Sequence, residues 1–544
     1  MNHYILSLIL FLPLLGAALL AFVPQKKAGV AGGLALGTAV LDFLLSLTLL
    51  PGLSGGVGTF RFTEKAPWIP SFGINYFLGV DGISVFMVLL TTFLSIPIIW
   101  AAWSVRERAR DFLILMLILE TASLGTFLSL NLFLFYVFWE LMLIPVYLLI
   151  VGWGGPARKA AALKFIVYSL FASLFLLLGL ITLEVITAIN LGRPILDLTV
   201  LSSLPLPFIL QIWLFLAFGL AFAVKIPLFP FHAWMPGAYL EAPAPVTAAL
   251  SGILSKAGIY GFLRFSFLLF PAAAVHFWPL LAGLGLAGML YGAFVALTAK
   301  DTKRVVAFSS FSHVNLIVLG IFAFNLQGIE GGVLQMVNHG IIAVALFLLL
   351  GMAEERGWTR DLDRLGGLAR QTPVFAGLFM LAALAALGLP GLNGFTGELL
   401  LLLGVFRTAP WLAVVAMLAV VLASAYAIRL LQGIFHGPAP ADGGSRAMKD
   451  LRWKEVALLA PLFLLIVGIG WWPRPIPALS AAGARRTLQV VHRGVALQKG
   501  NILSMAVLPR PGGGAGRGAP KGEFPAGAQS KLFRTVEFQG GGPQ

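Results

Sequence analysis

Two lysines stand where a soluble protein would not put them. Lys225 and Lys256 lie inside apolar stretches long enough to cross a bilayer, WLFLAFGLAFAVKIPLFPFHAWMPGAYLEAP and VTAALSGILSKAGIYG. A charge at bilayer depth costs at least ~2.5 kcal/mol on insertion scales, so it is kept chiefly where it lines an ion path or meets a buried partner. Glu140 in LFLFYVFWELMLIPVYLLI and Glu398 behind GLPGLNG place carboxyl groups in the same setting, and Glu120 sits near the centre of another apolar stretch. His232, His313 and His339, with Gln335 and Asn338, add polar groups at similar depth. Ammonium, imidazole and carboxyl groups exchange protons, so proton transfer is the chemistry this set can do. Aligned across a helix bundle, they would form a polar row at mid-depth, parallel to the membrane plane. The plain alternative is a set of interhelical ion pairs that only fixes packing. It weighs most for His232 and Glu120, either of which can satisfy backbone at a helix break or pack against a neighbour.

Breaks in the helices must position these groups. Pro227 and Pro230 lack amide donors, so carbonyls between Ala223 and Ile226 lose their helical partners. A straight helix over 209–242 would reach ~50 Å at ~1.5 Å per residue, against a hydrocarbon core of ~30 Å. The seventh span, 209–239, is therefore read as two half-helices with irregular backbone between them, tolerated only where it faces protein or water. The twelfth, 373–406, repeats this logic, interrupted around Pro390 and followed at once by Glu398. In the fifth span, Pro145 frees the carbonyl of Leu141.

The expected fold is an all-α polytopic membrane protein of about fourteen spans. The two broken spans stand five apart, an odd offset, so spans 4–8 and 9–13 are read as two inverted five-helix repeats. Residues 1–110 then carry spans 1–3, 111–270 the first repeat, 271–436 the second, and 437–475 a loop with span 14. Residues 476–544, with stretches such as RPGGGAGRGAPKG, are expected to stay disordered. The first apolar stretch lacks a basic n-region and is read as a retained span.

Composition supports this class. Of 544 residues, 59% are hydrophobic and 11% charged, which excludes a soluble multidomain protein. No cysteine is present, which excludes thiolate-held iron–sulfur clusters, disulfides and c-type haem attachment in this chain. The net charge of +15 is uneven, +8 of it from Arg474 onward, and no nucleic-acid partner is inferred. Lys and Arg crowd the connections after odd-numbered spans, as at Lys26, Lys27, Arg106, Arg158 and Lys303, and are few after even-numbered ones. The positive-inside rule puts the odd connections in the cytoplasm and both termini on the outer face. GLGLAG at 283–288 matches a dinucleotide pattern, but lies within an apolar span with no strand before it, and reads as close helix packing. The histidines are too scattered for a zinc site, and no metal is expected. Glu184, Arg429 and His436 read as snorkelling or interface groups.

YVFWELMLIPVYLLI, AVKIPLFPFHAWMPGAYLEAPAPVTAALSGILSKAGIYGFLRF, DTKRVVAFSSFSHVNL, QMVNHGIIAVALFLL and GLPGLNGFTGELLLL closely resemble the antiporter-like subunits of respiratory complex I, NADH:quinone oxidoreductase. The resemblance runs from about Phe77 to Leu431. It is strongest to the subunit M, or chain-four, type, in which the broken twelfth span typically carries glutamate where the sister L and N types usually carry lysine. No long lateral helix is expected after span 14, which points the same way. The resemblance implies that Glu140 and Lys225 form an input pair, that Lys256, His313 and His339 connect the halves, and that Glu398 serves the exit side. Glu120 matches a family acidic position. It also implies a proton-pumping translocase subunit without a redox centre of its own. FMN, iron–sulfur clusters and quinone would lie in partner subunits, L and N types would be neighbours, and a bacterial inner membrane would be the site. A subunit of a multisubunit cation/proton antiporter, or of a membrane-bound hydrogenase, would share the same lysines and broken helices.

Overall fold

The computed structural model describes residues 4–53, 60–437 and 449–506, with side chains to residue 496. Among the described residues, twelve helices are long and apolar enough to cross a membrane. Two shorter apolar helices, Ile5–Ala21 and Pro373–Ala386, take the places of the expected first span and the first half of the twelfth. The chain runs through α1 (Ile5–Ala21) and α2 (Ala28–Leu47), a hairpin β1 (Arg61–Ile69) and β2 (Ile74–Val80), then α3 (Ser84–Ala102) and α4 (Ala109–Leu128). The fifth span is α5 (Leu132–Leu141) and α6 (Leu143–Trp153), interrupted at Met142, where Pro145 leaves the Leu141 carbonyl without an amide. α7 (Arg158–Leu191) is long and shows an apolar face of Leu163, Val167, Leu170 and Leu174 to the outside, as a lipid-facing helix must.

After the single turn α8 (Leu198–Leu201) comes the broken seventh span, α9 (Phe208–Lys225) and α10 (Met235–Glu241). The eighth span is one continuous helical run whose α-helical parts α11 (Ala244–Ala249), α12 (Ser255–Gly261) and α13 (Phe267–Leu269) are joined by π-helical turns at Leu250–Leu254 and Phe262–Ser266. α14 (Pro271–His276), α15 (Trp278–Thr298), α16 (Thr302–Ile321) and α17 (Leu326–Glu355) follow. The twelfth span is α18 (Pro373–Ala386) and α19 (Asn393–Thr408), and α20 (Pro410–Phe435), α21 (Trp453–Trp471) and α22 (Pro475–Ala506) complete the chain. The α11–α13 run, α16 and α17 are almost wholly buried, so the centre of the bundle is made by the helices that carry Lys256, His313 and His339.

GLGLAG belongs to α15, and its glycines let two helices touch. A Cβ on Gly288 would lie 2.0 Å from Asn315 Oδ1, and one on Gly285 3.0 Å from backbone of α16. Arg429, read as an interface group, instead donates to the carbonyls of Leu297 and Ala299 at the end of α15, where a cation meets the negative end of the helix dipole.

The glycine-rich connection after α2 is not all loop, because β1 and β2 pair antiparallel across it. Glu64 of β1 accepts from the amides of Leu6 (2.7 Å) and Ser7 (3.1 Å), supplying α1 with the cap its own residues lack. Nor is the stretch from 476 to 506 disordered. It forms most of α22, which packs against α13, α14 and α17. Ile476, Ser480, Ala484, Thr487 and Val491 are its buried side chains, spaced three and four apart as one helix face requires. That face is largely small residues, so mean hydropathy conceals it. Residues 507–544 of the expected disordered tail lie outside the described residues.

Candidate proton-transfer site

Lys256 opens the site. It sits on α12 just past the first π turn, with no exposure. Single π turns inside α-helices recur at functional sites, because the wider turn leaves carbonyls open to side chains. Here the Ser251 carbonyl accepts from Lys256 Nζ at 2.5 Å and from Ser255 Oγ at 2.8 Å. Ser255 Oγ is a further partner of Nζ at 3.3 Å, and across the helix interface Nζ meets His339 Nδ1 at 2.6 Å.

Two histidines carry the line onward from α17 to α16. The His339 and His313 rings lie 6.0 Å apart, centroid to centroid. A cavity of about 20 Å3, lined by Ser309, Ser310, His313, Gln335, His339 and Glu398, joins them. That is room for about one water. His313 Nδ1 lies 2.7 Å from the Ser309 carbonyl, and its Nε2 lies 3.2 Å from Glu398 Oε1. A carbonyl only accepts, so Nδ1 must carry a hydrogen. In neutral His313 the other nitrogen would then turn a lone pair toward a carboxylate. One proton therefore lies between His313 Nε2 and Glu398 Oε1, on either atom. By the same reasoning, a charged Lys256 makes His339 Nδ1 an acceptor and places the ring hydrogen on Nε2.

Glu398 is fixed by the break before it. Gly388 has φ +76°, and a Cβ there would stand 2.6 Å from Glu398 Oε2. Gly391 has φ +93°, and Pro390 between them donates no amide. Asn338 of α17 pins the second half-helix by donating to the Asn393 carbonyl at 2.6 Å. Gln335 approaches Glu398 Oε1 at 3.5 Å.

The seventh-span break is held similarly. Asn315 of α16 contacts both the Phe229 amide (3.4 Å) and the Pro227 carbonyl (3.5 Å). The Ala223 carbonyl, which Pro227 leaves without an amide, takes the Leu228 amide at 2.8 Å, and the Val224 carbonyl, freed by that shift, accepts from the Trp234 indole at 2.8 Å. Lys225 ends α9, where helix carbonyls favour a cation. Its Nζ is buried without a hydrogen-bond partner among the described residues and lies 4.7 Å from the Trp139 ring centroid. Glu140, next to Trp139, interacts electrostatically with Lys225, but Lys225 Nζ and Glu140 Oε1 make no hydrogen bond among the described residues.

The structure thus joins Lys256, His339, His313 and Glu398 in one line and leaves Lys225 with Glu140 as a separate, looser group. His232 belongs to neither. Its ring is boxed by Phe229 (5.7 Å), Tyr291 (5.1 Å) and Phe311 (4.7 Å), which fits the packing alternative. Glu120 is buried on α4 away from this line, with neither oxygen hydrogen-bonded among the described residues. Sequence reasoning passed over Ser251, Ser255, Ser309, Trp139, Trp234 and Asn315, whose signal was small polar or indole groups inside spans that are otherwise apolar. It also passed over Asp42, the sole acidic residue of α2.

This architecture, with half-helices meeting buried lysines, histidines and a glutamate, is that of an antiporter-like membrane subunit. Residues 129–423 match the family model of the NADH:quinone oxidoreductase/Mrp antiporter transmembrane region. The chain belongs to that family and, within it, to the subunit M, or chain 4, group of NADH-quinone oxidoreductase. It is 38% identical to NADH-quinone oxidoreductase subunit M of Rhodobacter capsulatus over 499 residues, 90% of this chain and 97% of that protein. It is also 38% identical to NADH-ubiquinone oxidoreductase chain 4 of Chondrus crispus, over 85% of this chain and 93% of that one. Among solved structures, it matches a chain of respiratory complex I from Thermus thermophilus with TM-score 0.79 and 35% identity, over 89% of this chain and 99% of that one. A chain of the Mrp complex from Dietzia shares the fold, with TM-score 0.77 at 22% identity over 90% of this chain and 99% of that one.

Proposed function

We propose that this chain is a proton-translocating subunit of NADH:quinone oxidoreductase, moving protons while partner subunits carry electrons from NADH to quinone. The observation that carries the reading is the buried line from Lys256 through His339 and His313 to Glu398. FMN, iron–sulfur clusters and quinone belong to the partners in this reading, and L- and N-type membrane subunits are the neighbours. The chain crosses the bacterial inner membrane fourteen times, spans 4–8 and 9–13 forming two inverted repeats, with its N-terminus outside.

A proton on Lys256 passes to His339 Nδ1, and the Nε2 hydrogen leaves through the cavity toward His313. The proton already held between His313 and Glu398 must go on before another arrives, so the line moves charge one step at a time. Glu140 and Lys225 set the input, because a carboxylate drawn away from a buried ammonium removes what holds its charge. Moving one charge against ~150 mV costs ~3.5 kcal/mol. At 4 Å, two charges interact by about 4 kcal/mol at an effective dielectric of 20, so opening or closing one such pair is enough. Purification of the native complex through a tag on this chain should bring down flavin- and iron–sulfur-containing proteins with NADH:quinone activity. Companions of a cation/proton antiporter, without flavin, would overturn the assignment.

A further inference from the structure

A second group of buried acids lies apart from this line. Thr38, Asp42 and Ser46 repeat every fourth residue on one buried face of α2, a helix that packs against α1, α3 and α4, with Thr38 against Gly16 of α1. Ser46 Oγ meets Thr92 Oγ1 of α3 at 2.9 Å, and Thr91 and Ser95 continue the buried polar seam. Across it stands Glu120 of α4. Both oxygens of Asp42 and both of Glu120 are shut off from solvent; none is paired in full hydrogen-bond geometry among the described residues, and the Ser95 hydroxyl is the polar group that faces Glu120. The two carboxyls are within electrostatic reach of each other. No lysine, arginine or histidine forms an ion pair with either among the described residues. The charges of α4 nearest its end, Arg110 and Asp111, pair with one another instead.

Two ionised carboxylates in such surroundings would each forfeit hydration worth tens of kcal/mol by Born arithmetic, and buried acids neutralise by binding a proton instead. Like charges close together strengthen that outcome. We propose that Asp42 and Glu120 form a proton-holding site beside the main line, the two carboxyls together retaining at least one proton that moves during turnover. α4 also packs against α5, which bears Glu140, and against α12, which bears Lys256, whose neighbour Tyr260 donates to the Phe127 carbonyl of α4 at 2.9 Å. The site is thus one helix away from both groups described above. Its part in turnover rests on the reading of this chain as a proton translocator, whereas its proton occupancy does not.

The test is infrared difference spectroscopy of the assembled complex, NADH-reduced minus oxidised, with wild type, Asp42→Asn and Asp42→Glu. A deuterium-sensitive protonated-carboxyl band should be present in wild type, lost or shifted in Asp42→Asn, where a remaining proton would sit on Glu120 beside an amide, and displaced in Asp42→Glu. Protons pumped per electron should fall in Asp42→Asn and recover in Asp42→Glu. An amide has the shape and neutrality of a protonated acid, so Asp42→Asn should assemble. Failure of Asp42→Asn alone to assemble would show that the ionised form is needed and overturn the proposal. So would a band unchanged in both variants, or a band that depends on sodium, which would make this a cation site. If the band is lost with Asp42→Asn while Glu398→Gln pumps normally, the main line fails and this site stands. If instead Glu398→Gln stops pumping while the band survives unshifted in Asp42→Asn, this site fails and the main line stands.

Discussion

Replacing Glu398 by glutamine tests the step on which the line depends. The substitution keeps size and hydrogen bonding, but the amide can donate directly to His313 Nε2, so no proton need lie between the two side chains. In the native pair, charges 3.2 Å apart interact by about 5 kcal/mol at an effective dielectric of 20. This exceeds the ~3.5 kcal/mol needed to move a charge against ~150 mV. Without it, a proton arriving from His339 has no sink, and a deficit of only the ~3.5 kcal/mol needed against the membrane potential slows transfer roughly three-hundredfold at ~1.4 kcal/mol per tenfold. Assembly should survive, because His313 can shed its own proton and stay neutral. The assay is reconstitution of the complex in vesicles, with proton uptake and NADH oxidation followed together. Glu398→Gln should lower protons per electron. An assembled variant that pumps at the wild-type ratio would show that no proton needs to pass between His313 and Glu398.

Lys225→Ala removes the cation over Trp139 and should cut coupled pumping while the complex still assembles; wild-type pumping in the assembled variant would contradict the input role. Gly388→Ala forces an L-residue to φ +76°, at about 1–2 kcal/mol, and drives a Cβ onto Glu398. It should impair pumping as Glu398→Gln does, whereas Gly377→Ala, with open space around its Cβ, should not. Val491→Asp buries a carboxylate under α22 and should expose residues 475–506 to protease in the solubilised complex; an unchanged cleavage pattern would show that the helix is not held by that face.

Much of the site was legible because charge in an apolar span is costly. Lys225, Lys256 and Glu398 announce themselves that way, and Pro227 and Pro390 mark the breaks beside them. What the sequence could not reveal is which groups meet. Lys256 touches His339 across 83 positions, and that pairing depends on how α12 and α17 are rotated, which no periodicity in an all-buried helix records. For the same reason the aromatic box around His232 shows only Phe229 in its own segment, while Tyr291 and Phe311 come from two other helices. The break at Pro227 read as a set of orphaned carbonyls, yet Trp234 returns to close one of them, a contact set by the fold of the loop. The π turns flanking Lys256 left no mark in composition. α22 escaped because its buried stripe is mostly small residues, with arginines on the rest of its surface.

Protons pumped per electron by the reconstituted Lys256→Met complex decide whether the buried line carries protons at all, since methionine fills the same space without a proton to give. The expected result is an assembled complex whose ratio falls below wild type, with electron transfer no longer fully coupled to proton movement. An assembled Lys256→Met complex with the wild-type ratio would contradict it.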